Sequence, residues 1–358
     1  MRGLAVVAGG GVAGLALARG LVAGGWDVEV HERAAGPPAT GSTLGMWPHA
    51  VAALHRLGLD DLLSARAVLA ARGELLRTDG RVLASLAPRG DVRFVDRPDL
   101  LAALADGLPA GVVRWSSPLA ADALDDALER ADVLVGADGL RSVVRPRVAH
   151  ARPRPPHQVA VRGAARGGVD RLAETWGRGR IFGTTARADG DTNVYAAFAA
   201  ALASPAERED PLGLLRRLYA GWHEGVTATV ERLRPETLDV RELHDLPPLP
   251  AYARGRAALV GDAAHAMAPN LGRGACEALV DAVALADRLL AAPDVASALA
   301  AYDAERRGPT RRVVRASRAL SRISGSTRGA PARDAAAALA GRVARAATAG
   351  ARGHRDVR

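Results

Sequence analysis

Five apolar residues running directly into a glycine turn constrain this chain more than any other feature. Leu4 to Ala8 reads as a buried parallel strand, and it meets Gly9-Gly10-Gly11-Val12-Ala13-Gly14 without a spacer. Val12 to Ala23 then carries the small, apolar pattern of a helix packed closely on a sheet. In this strand–turn–helix context each position has a task. Gly9 permits the tight turn, Gly11 lets a pyrophosphate approach bare backbone, and Gly14 lets helix and strand pack together. The N-terminus of the helix, with the N–H groups of Val12 and Ala13, faces the phosphate charge. Trp26 to His31 reads as the second strand, and Glu32 follows the turn by about 20 residues, where a carboxylate accepts the hydroxyl hydrogens of an adenosine ribose and repels a 2′-phosphate. The same stretch faintly resembles a signal peptide, with Arg2 leading into residues apolar as far as Ala18. The glycines break that run, Arg19 ends it, and the strand needs those residues, so a cytoplasmic protein is expected.

A second stretch complements the first. Gly261-Asp262-Ala263-Ala264-His265 is followed by Pro269-Asn270-Leu271-Gly272-Arg273-Gly274-Ala275. Together, in this order, the two stretches look built to hold opposite ends of one cofactor, and they point to FAD rather than to NAD.

Composition narrows the alternatives. With 358 residues, 49% of them hydrophobic, the chain can bury a large core in two lobes. No run of about 18 uncharged apolar residues occurs, so no membrane span is expected. The single cysteine, Cys276, rules out an intramolecular disulfide and a thiolate metal cluster, suits a reducing cytosol, and reads as a small buried residue. The formal charge of +9 raises the question of nucleic acid. However, the sequence contains no lysine, its arginines are dispersed, and aromatics make up only 3%. That is too few for a stacking platform, so no nucleic-acid partner is expected.

The rest of the chain alternates helix and strand. A helix is expected over Pro48 to Leu57, a β-hairpin over Arg72 to Ala87 around Thr78-Asp79-Gly80, and a helix opened by Arg97-Pro98-Asp99-Leu100. Val112 to Ser116 and Val133 to Val135 read as strands, the latter leading into Gly136-Ala137-Asp138-Gly139. Between about 158 and 242 the texture changes. Extended segments at Gln158–Ala165, Arg180–Arg187 and Thr192–Ala199 alternate with turns, with one helix over about Pro211 to Trp222. Ala257 to Val260 is again a buried strand, and helices follow over Gly274 to Leu290 and about Val295 to Arg322. From Gly329 the Ala/Arg-rich end reads as a terminal helix. No internal repeats, Gly-x-Ser-x-Gly elbow or metal-ligand spacing occur.

At this point the motifs name a family. The chain resembles the class A flavoprotein aromatic hydroxylases, the FAD monooxygenases with a para-hydroxybenzoate-hydroxylase-like fold. Gly9–Gly14 matches their dinucleotide turn, Val135 through Arg145 their Asp-Gly motif, and Gly261 through Pro269 their Gly-Asp motif. Gly41 to Ala50 and Arg97–Leu100 fit the intervening segments. The Trp-x-Trp-x-Ile-Pro of flavin halogenases is not found. The resemblance implies an α/β fold: a glutathione-reductase-type FAD-binding Rossmann domain (1–70, 97–157 and 250–322), an inserted, mostly antiparallel substrate sheet (71–96 and 158–249), and C-terminal helices with a tail over 323–358.

It also implies roles. Glu32 would bind the ribose, Arg33 would lie near the adenine–pyrophosphate region, and Arg97 would reach the pyrophosphate or ribityl chain. Asp262 would hydrogen-bond the ribityl chain, and backbone at Gly274 and Ala275 would face the flavin pyrimidine. Pro269 would sit beside the ring where oxygen adds. Asp138 and Arg145 are implicated in FAD and NAD(P)H binding. Two positions depart from the family: Pro37-Pro38-Ala39 stands where many relatives carry arginine, and Arg273 stands where glutamine is frequent. Arg180 and Tyr195 are candidates for lining the substrate cavity, against the plainer readings of a surface arginine and a core tyrosine. His265 reads as a positioning residue rather than a proton relay, and His49 as packing or capping.

The implied activity is NAD(P)H- and O₂-dependent hydroxylation of an aromatic substrate through a C4a-hydroperoxyflavin, by a monomer or dimer. Three alternatives stay open: an epoxidase acting on an aromatic or polyene substrate with the same intermediate, an FAD-dependent reductase or dehydrogenase, and a non-catalytic dinucleotide-binding protein.

Overall fold

In a computed structural model of the chain, which describes residues 3–70, 72–86 and 90–339, strand Leu4–Ala8 sits inside a six-stranded sheet. The strand order is Ala253–Arg254, Ala257–Leu259, Val133–Gly136, Leu4–Ala8, Asp27–His31, Val113–Arg114. Every pairing is parallel except that of the edge strand Ala253–Arg254. With neighbours on both sides, Ala5, Val6 and Val7 are wholly buried, which is why the strand is apolar without alternation. Helix Val12–Ala23 returns over the sheet and packs against helix Gly274–Ala291. Small residues set that approach. A Cβ on Gly20 would come within 3.0 Å of the Ala286 methyl, and one on Gly24 would run into Leu290.

Packing divides the chain into two compact units: residues 1–67, 95–156 and 243–321, and residues 68–94, 157–242 and 322–358. The first unit begins its last segment at Leu243 rather than near residue 250. The reason is that Leu246 and Leu249 are fully buried and the Leu246 N–H donates to Ala266 O at 2.8 Å.

The second unit is built on a seven-stranded sheet: Asp239–Leu243, Gln158–Ala165, Thr192–Ala199, Arg180–Ala186, Leu172–Trp176, Gly73–Arg77, Val82–Leu86. It is mostly antiparallel, with Leu172–Trp176 running parallel to Gly73–Arg77. Helices Pro211–Tyr219 and Glu224–Glu231 contribute Leu215, Tyr219 and Val226 to an apolar cluster with Val159, Phe182 and Phe198 on one sheet face. The helix expected through about Trp222 ends at Tyr219, and a second helix that was not expected follows over Glu224–Glu231. Gly221 turns the chain at φ +73°, and the His223 N–H donates to Thr78 O at 2.8 Å before the second helix begins.

Leu172–Trp176 is a strand the sequence reading did not mark. Ala87, the last residue of the expected hairpin, lies outside the described residues, as does 340–358 of the expected C-terminal helix and tail. Helix Val295–Ser324 is followed by helical residues 330–339. That segment groups with the sheet unit. Gly179 N–H donates to Ser326 O at 2.8 Å, and Arg333 donates to Gly177 O at 2.9 Å with its guanidinium 5.3 Å from the centre of the Trp176 ring.

Candidate cofactor site and active site

The glycine turn has the geometry its residues demand. Gly9 takes φ +101°, and a Cβ there would meet Ala137 O at 2.5 Å. A Cβ on Gly14 would overlap the carbonyl oxygen of Gly9. By contrast, no heavy atom lies within 4 Å of the Cβ position of Gly11, the residue that caps helix Val12–Ala23. The first N–H groups of that helix have no intrahelical acceptors, and they open onto this space as an anion site. Glu32 ties the turn to the second strand: Oε2 accepts the Gly10 N–H at 2.6 Å, and Oε1 accepts the Ala34 N–H at 2.8 Å. Two oxygens with one donor each keep acceptor capacity for a pair of hydroxyls. Arg33 is exposed beside it. Arg97 is exposed at the start of helix Arg97–Asp106, its N–H donating to Ser42 O at 3.1 Å.

The Asp-Gly motif closes against the same turn. Asp138 Oδ2 accepts the Val143 N–H at 2.7 Å, so the side chain fixes its own loop, while its buried Oδ1 has no protein partner among the described residues. Arg145 is only 3% exposed, yet its guanidinium is held by carbonyls: Ala263 O at 2.8 Å, Gly139 O at 3.0 Å and Leu140 O at 2.6 Å. It therefore bolts the Asp-Gly motif to the Gly-Asp motif. Burial lowers its pKa, and the charges of Asp138 and Asp262 work against that fall.

At the second motif Gly261 takes φ +59°, with the methyls of Ala13 and Ala278 3.1 and 3.2 Å from where a Cβ would stand. Asp262 follows it, exposed and with no hydrogen-bond partner among the described residues. Pro269 opens the turn Pro269–Leu271, which Ser317 braces by donating to Ala268 O at 2.5 Å. Helix Gly274–Ala291 starts at Gly274, which like Gly11 has nothing within 4 Å of its Cβ position, and Ala275 stands partly exposed in its first turn.

Beneath this motif lies a buried charged cluster. Asp281 Oδ2 accepts from Gly261 N–H at 3.0 Å and lies 2.5 Å from His265 Nε2, while its Oδ1 accepts from Arg306 Nε at 2.7 Å. Arg306 Nη2 donates to Glu277 Oε2 at 2.7 Å. Glu277 Oε1 in turn accepts from Arg273 at 2.5 Å and lies 3.6 Å from His49 Nε2. Burial pulls the His265 pKa down, but the neighbouring Asp281, then Asp262 and Glu277, outweigh it and raise it. Burial opposes ionisation of Asp281 and Glu277 as well, yet their cationic partners hold both below the usual carboxylate range.

The open spaces at Gly11 and Gly274, the spare acceptors of Glu32 and the unpartnered Asp262 fit FAD, one end at each motif. Comparison with known proteins agrees. A family model described as an FAD binding domain matches residues 232–317. Aurachin C monooxygenase/isomerase of Stigmatella aurantiaca is 32% identical over 349 residues, covering 90% of this chain and 88% of that protein. The chain belongs to the class A FAD-dependent monooxygenases. FAD-dependent urate hydroxylase of Klebsiella oxytoca is 30% identical over 330 residues, covering 84% and 85%. Among solved structures, Klebsiella pneumoniae HpxO complexed with FAD and uric acid superposes with a TM-score of 0.82 at 24% identity, covering 95% of this chain and 92% of that one. Among the described residues of this monooxygenase, no group of three or more His, Cys, Asp or Glu could hold a metal ion, and no helix is long and apolar enough to cross a membrane.

The monooxygenase's two substrate-cavity candidates are not brought together. Arg180 pairs with Phe198 across the strands and Tyr195 with Gly183, so strand alternation puts the two side chains on opposite sheet faces. Arg180 turns to the helical side, donates to Leu218 O and stacks 5.7 Å over Trp222. Tyr195 lies over Gly183, where a Cβ would collide with its ring, and donates to Glu174 Oε2 at 2.8 Å. Glu174 also accepts from Trp176 Nε1 at 2.5 Å. Burial raises the pKa of Glu174 against those two hydrogen bonds, and burial with the Glu174 charge raises that of Tyr195 as well. Sequence reasoning missed Glu174 because its strand was not recognised. It also missed Glu277, Asp281 and Arg306, although the first two stand four residues apart on one helix face.

Proposed function

We propose that the chain hydroxylates an aromatic small molecule with NADH or NADPH and O₂, in the cytoplasm, with FAD held by the first unit. The observation that carries this reading is the two-ended cradle: open space over Gly11 and Gly274 at helix starts, with Glu32 and Asp262 offering acceptors. Bound FAD would supply the redox chemistry, in which two electrons and a proton from the nicotinamide side let one atom of O₂ enter the substrate while the other leaves as water. The chain's own residues bind and orient. The helix N-terminus at Val12 meets the pyrophosphate, Glu32 the ribose, Asp262 the ribityl chain, and the N–H groups of Gly274 and Ala275 the pyrimidine carbonyls, where they favour negative charge on the reduced ring.

We assign the substrate to the sheet face that carries Tyr195 and Glu174, opposite the face covered by the two helices. There the Tyr195 hydroxyl donates to Glu174, and its oxygen keeps lone pairs that can accept a hydrogen bond from a phenolic O–H or a ring N–H of the substrate. The aurachin and urate enzymes support an aromatic heterocycle as the substrate class.

The test is to purify the protein with FAD and screen aromatic heterocycles and phenols for stimulated NAD(P)H oxidation. Products are then analysed by mass after reaction under ¹⁸O₂. One labelled oxygen atom per product is expected. A product with no oxygen from O₂ would return the chain to the reductase or dehydrogenase reading.

A further inference from the structure

The charged cluster beneath the Gly-Asp motif is unusual in what it joins. Asp281 is 0% exposed, His265 and Glu277 2%, and Arg306 7%. Such a cluster stabilises a core less well than apolar side chains of the same volume. Its connections are with backbone the proposed function gives to FAD. Asp281 fixes Gly261, the residue before Asp262. Glu277 stands in the first turn of helix Gly274–Ala291, and Asp281 one turn further along. Arg273, the residue before that helix, reaches Glu277 from the rim.

The electrostatic consequence follows from position. The positive end of the helix favours negative charge placed before it. Two carboxylates behind that end, uncompensated, would offset its field, and in a dry interior the offset is strong. Arg306 is bonded to both of them. It leaves the helix end free to act outward. His265, His49, Arg273, Asp262, Tyr252, Tyr302 and Cys276 also face the cluster.

We propose that the Arg306–Asp281–Glu277 cluster sets the reduction potential of the bound FAD by neutralising the carboxylates behind the helix end that faces it. These are positioning and tuning residues rather than catalytic ones. The inference rests on FAD lying at Gly274, and it predicts a sign that a purely structural role does not. Removing the Arg306 charge lowers the potential, and removing the Glu277 charge raises it.

The experiment is an equilibrium reductive titration of the FAD-loaded protein against a reference dye. Arg306→Gln should weaken binding of reduced FAD relative to oxidised FAD about tenfold, which reads as a fall of about 30 mV for a two-electron couple. Glu277→Gln should shift it the opposite way, and Arg306→Lys should stay near the wild type. Potentials that move in the same direction, or stay still with FAD bound, overturn the proposal. Wild-type protein that takes up no FAD would instead overturn the cofactor reading beneath it. If Arg306→Gln does not retain FAD, Arg273→Gln at the half-buried rim repeats the test: a lowered potential supports the proposal and an unmoved one overturns it.

Discussion

Gly14 stands so close to Gly9 that a single added methyl would overlap the Gly9 carbonyl oxygen. The obstacle is backbone on a turn that Ala137 already crowds from the other side, so it cannot swing away. Gly14→Ala should therefore lower the stability of the FAD-free protein by about 1–3 kcal/mol, measured by thermal or urea unfolding. A variant as stable as the wild type would show that the turn adapts.

Gly11 makes the opposite case. Its φ of −79° suits any residue, and its Cβ position is empty. Gly11→Ala should leave FAD-free stability within about 0.5 kcal/mol. The methyl would occupy the approach to the helix N-terminus, so FAD affinity should fall tenfold or more, about 1.4 kcal/mol. Flavin fluorescence titration reads this directly.

Asp262 is exposed and makes no hydrogen bond among the described residues, so Asp262→Ala should change the stability of the FAD-free fold by no more than about 0.5 kcal/mol. Loss of a charged hydrogen-bond acceptor costs about 1.5–3 kcal/mol, or roughly 10- to 150-fold in FAD affinity. Glu32→Ala should also weaken FAD, and, because Glu32 holds the N–H groups of Gly10 and Ala34, it should destabilise the turn as well. Neither change should alter the preference between NADH and NADPH. A switch in that preference on replacing Glu32 would mean that the glycine turn holds the nicotinamide cofactor.

Arg180 and Tyr195 should separate in function as they do in space. Arg180→Ala removes the stack on Trp222 and the bond to Leu218 O, so the melting temperature should fall while kcat/KM stays near the wild type. Tyr195→Phe deprives Glu174 of a donor on the other face, so kcat/KM should fall with stability less affected. The reverse pattern would move the substrate to the helical side of the sheet.

Burial pushes the Cys276 thiol up to about 11, against about 8.5 in an unfolded chain. A thiol held protonated by the fold favours folding below about pH 8.5, and that contribution is lost as pH rises towards 11. At pH 8 roughly one thiol in a thousand is ionised, so Ellman's reagent should label the native protein only as fast as it opens. Rapid labelling at pH 8 would mean that Cys276 is not sealed as its burial and its contact with Gly45 O indicate.

Local pattern carried much of this in the sequence. Leu4–Ala8, Val12–Ala23, Gln158–Ala165 and Thr192–Ala199 form over the residues their periodicity and turns mark. Leu172–Trp176 was hidden because it mixes small and polar residues, and its parallel partner Gly73–Arg77 lies far back in the chain. The opposite facing of Arg180 and Tyr195 was not legible: parity groups Arg180 with Phe182 and Thr184, but only the register that sets Tyr195 against Gly183 puts the two side chains on different faces. The charged cluster could not be read either. His265, Asp281 and Arg306 come from three elements with no fixed spacing, and only packing brings them together.

The first strand of the chain depends on late arrivals. Leu4–Ala8 pairs early with Asp27–His31, but its other edge waits for Val133–Gly136, which in turn waits for Ala257–Leu259. Gly261 is not fixed until Asp281 is in place. During synthesis from the N-terminus, a glycine turn made well before these partners therefore stays without half of its cofactor site until they have emerged. A nascent chain stalled before residue 257 would carry an unpaired apolar strand edge, the form most exposed to aggregation.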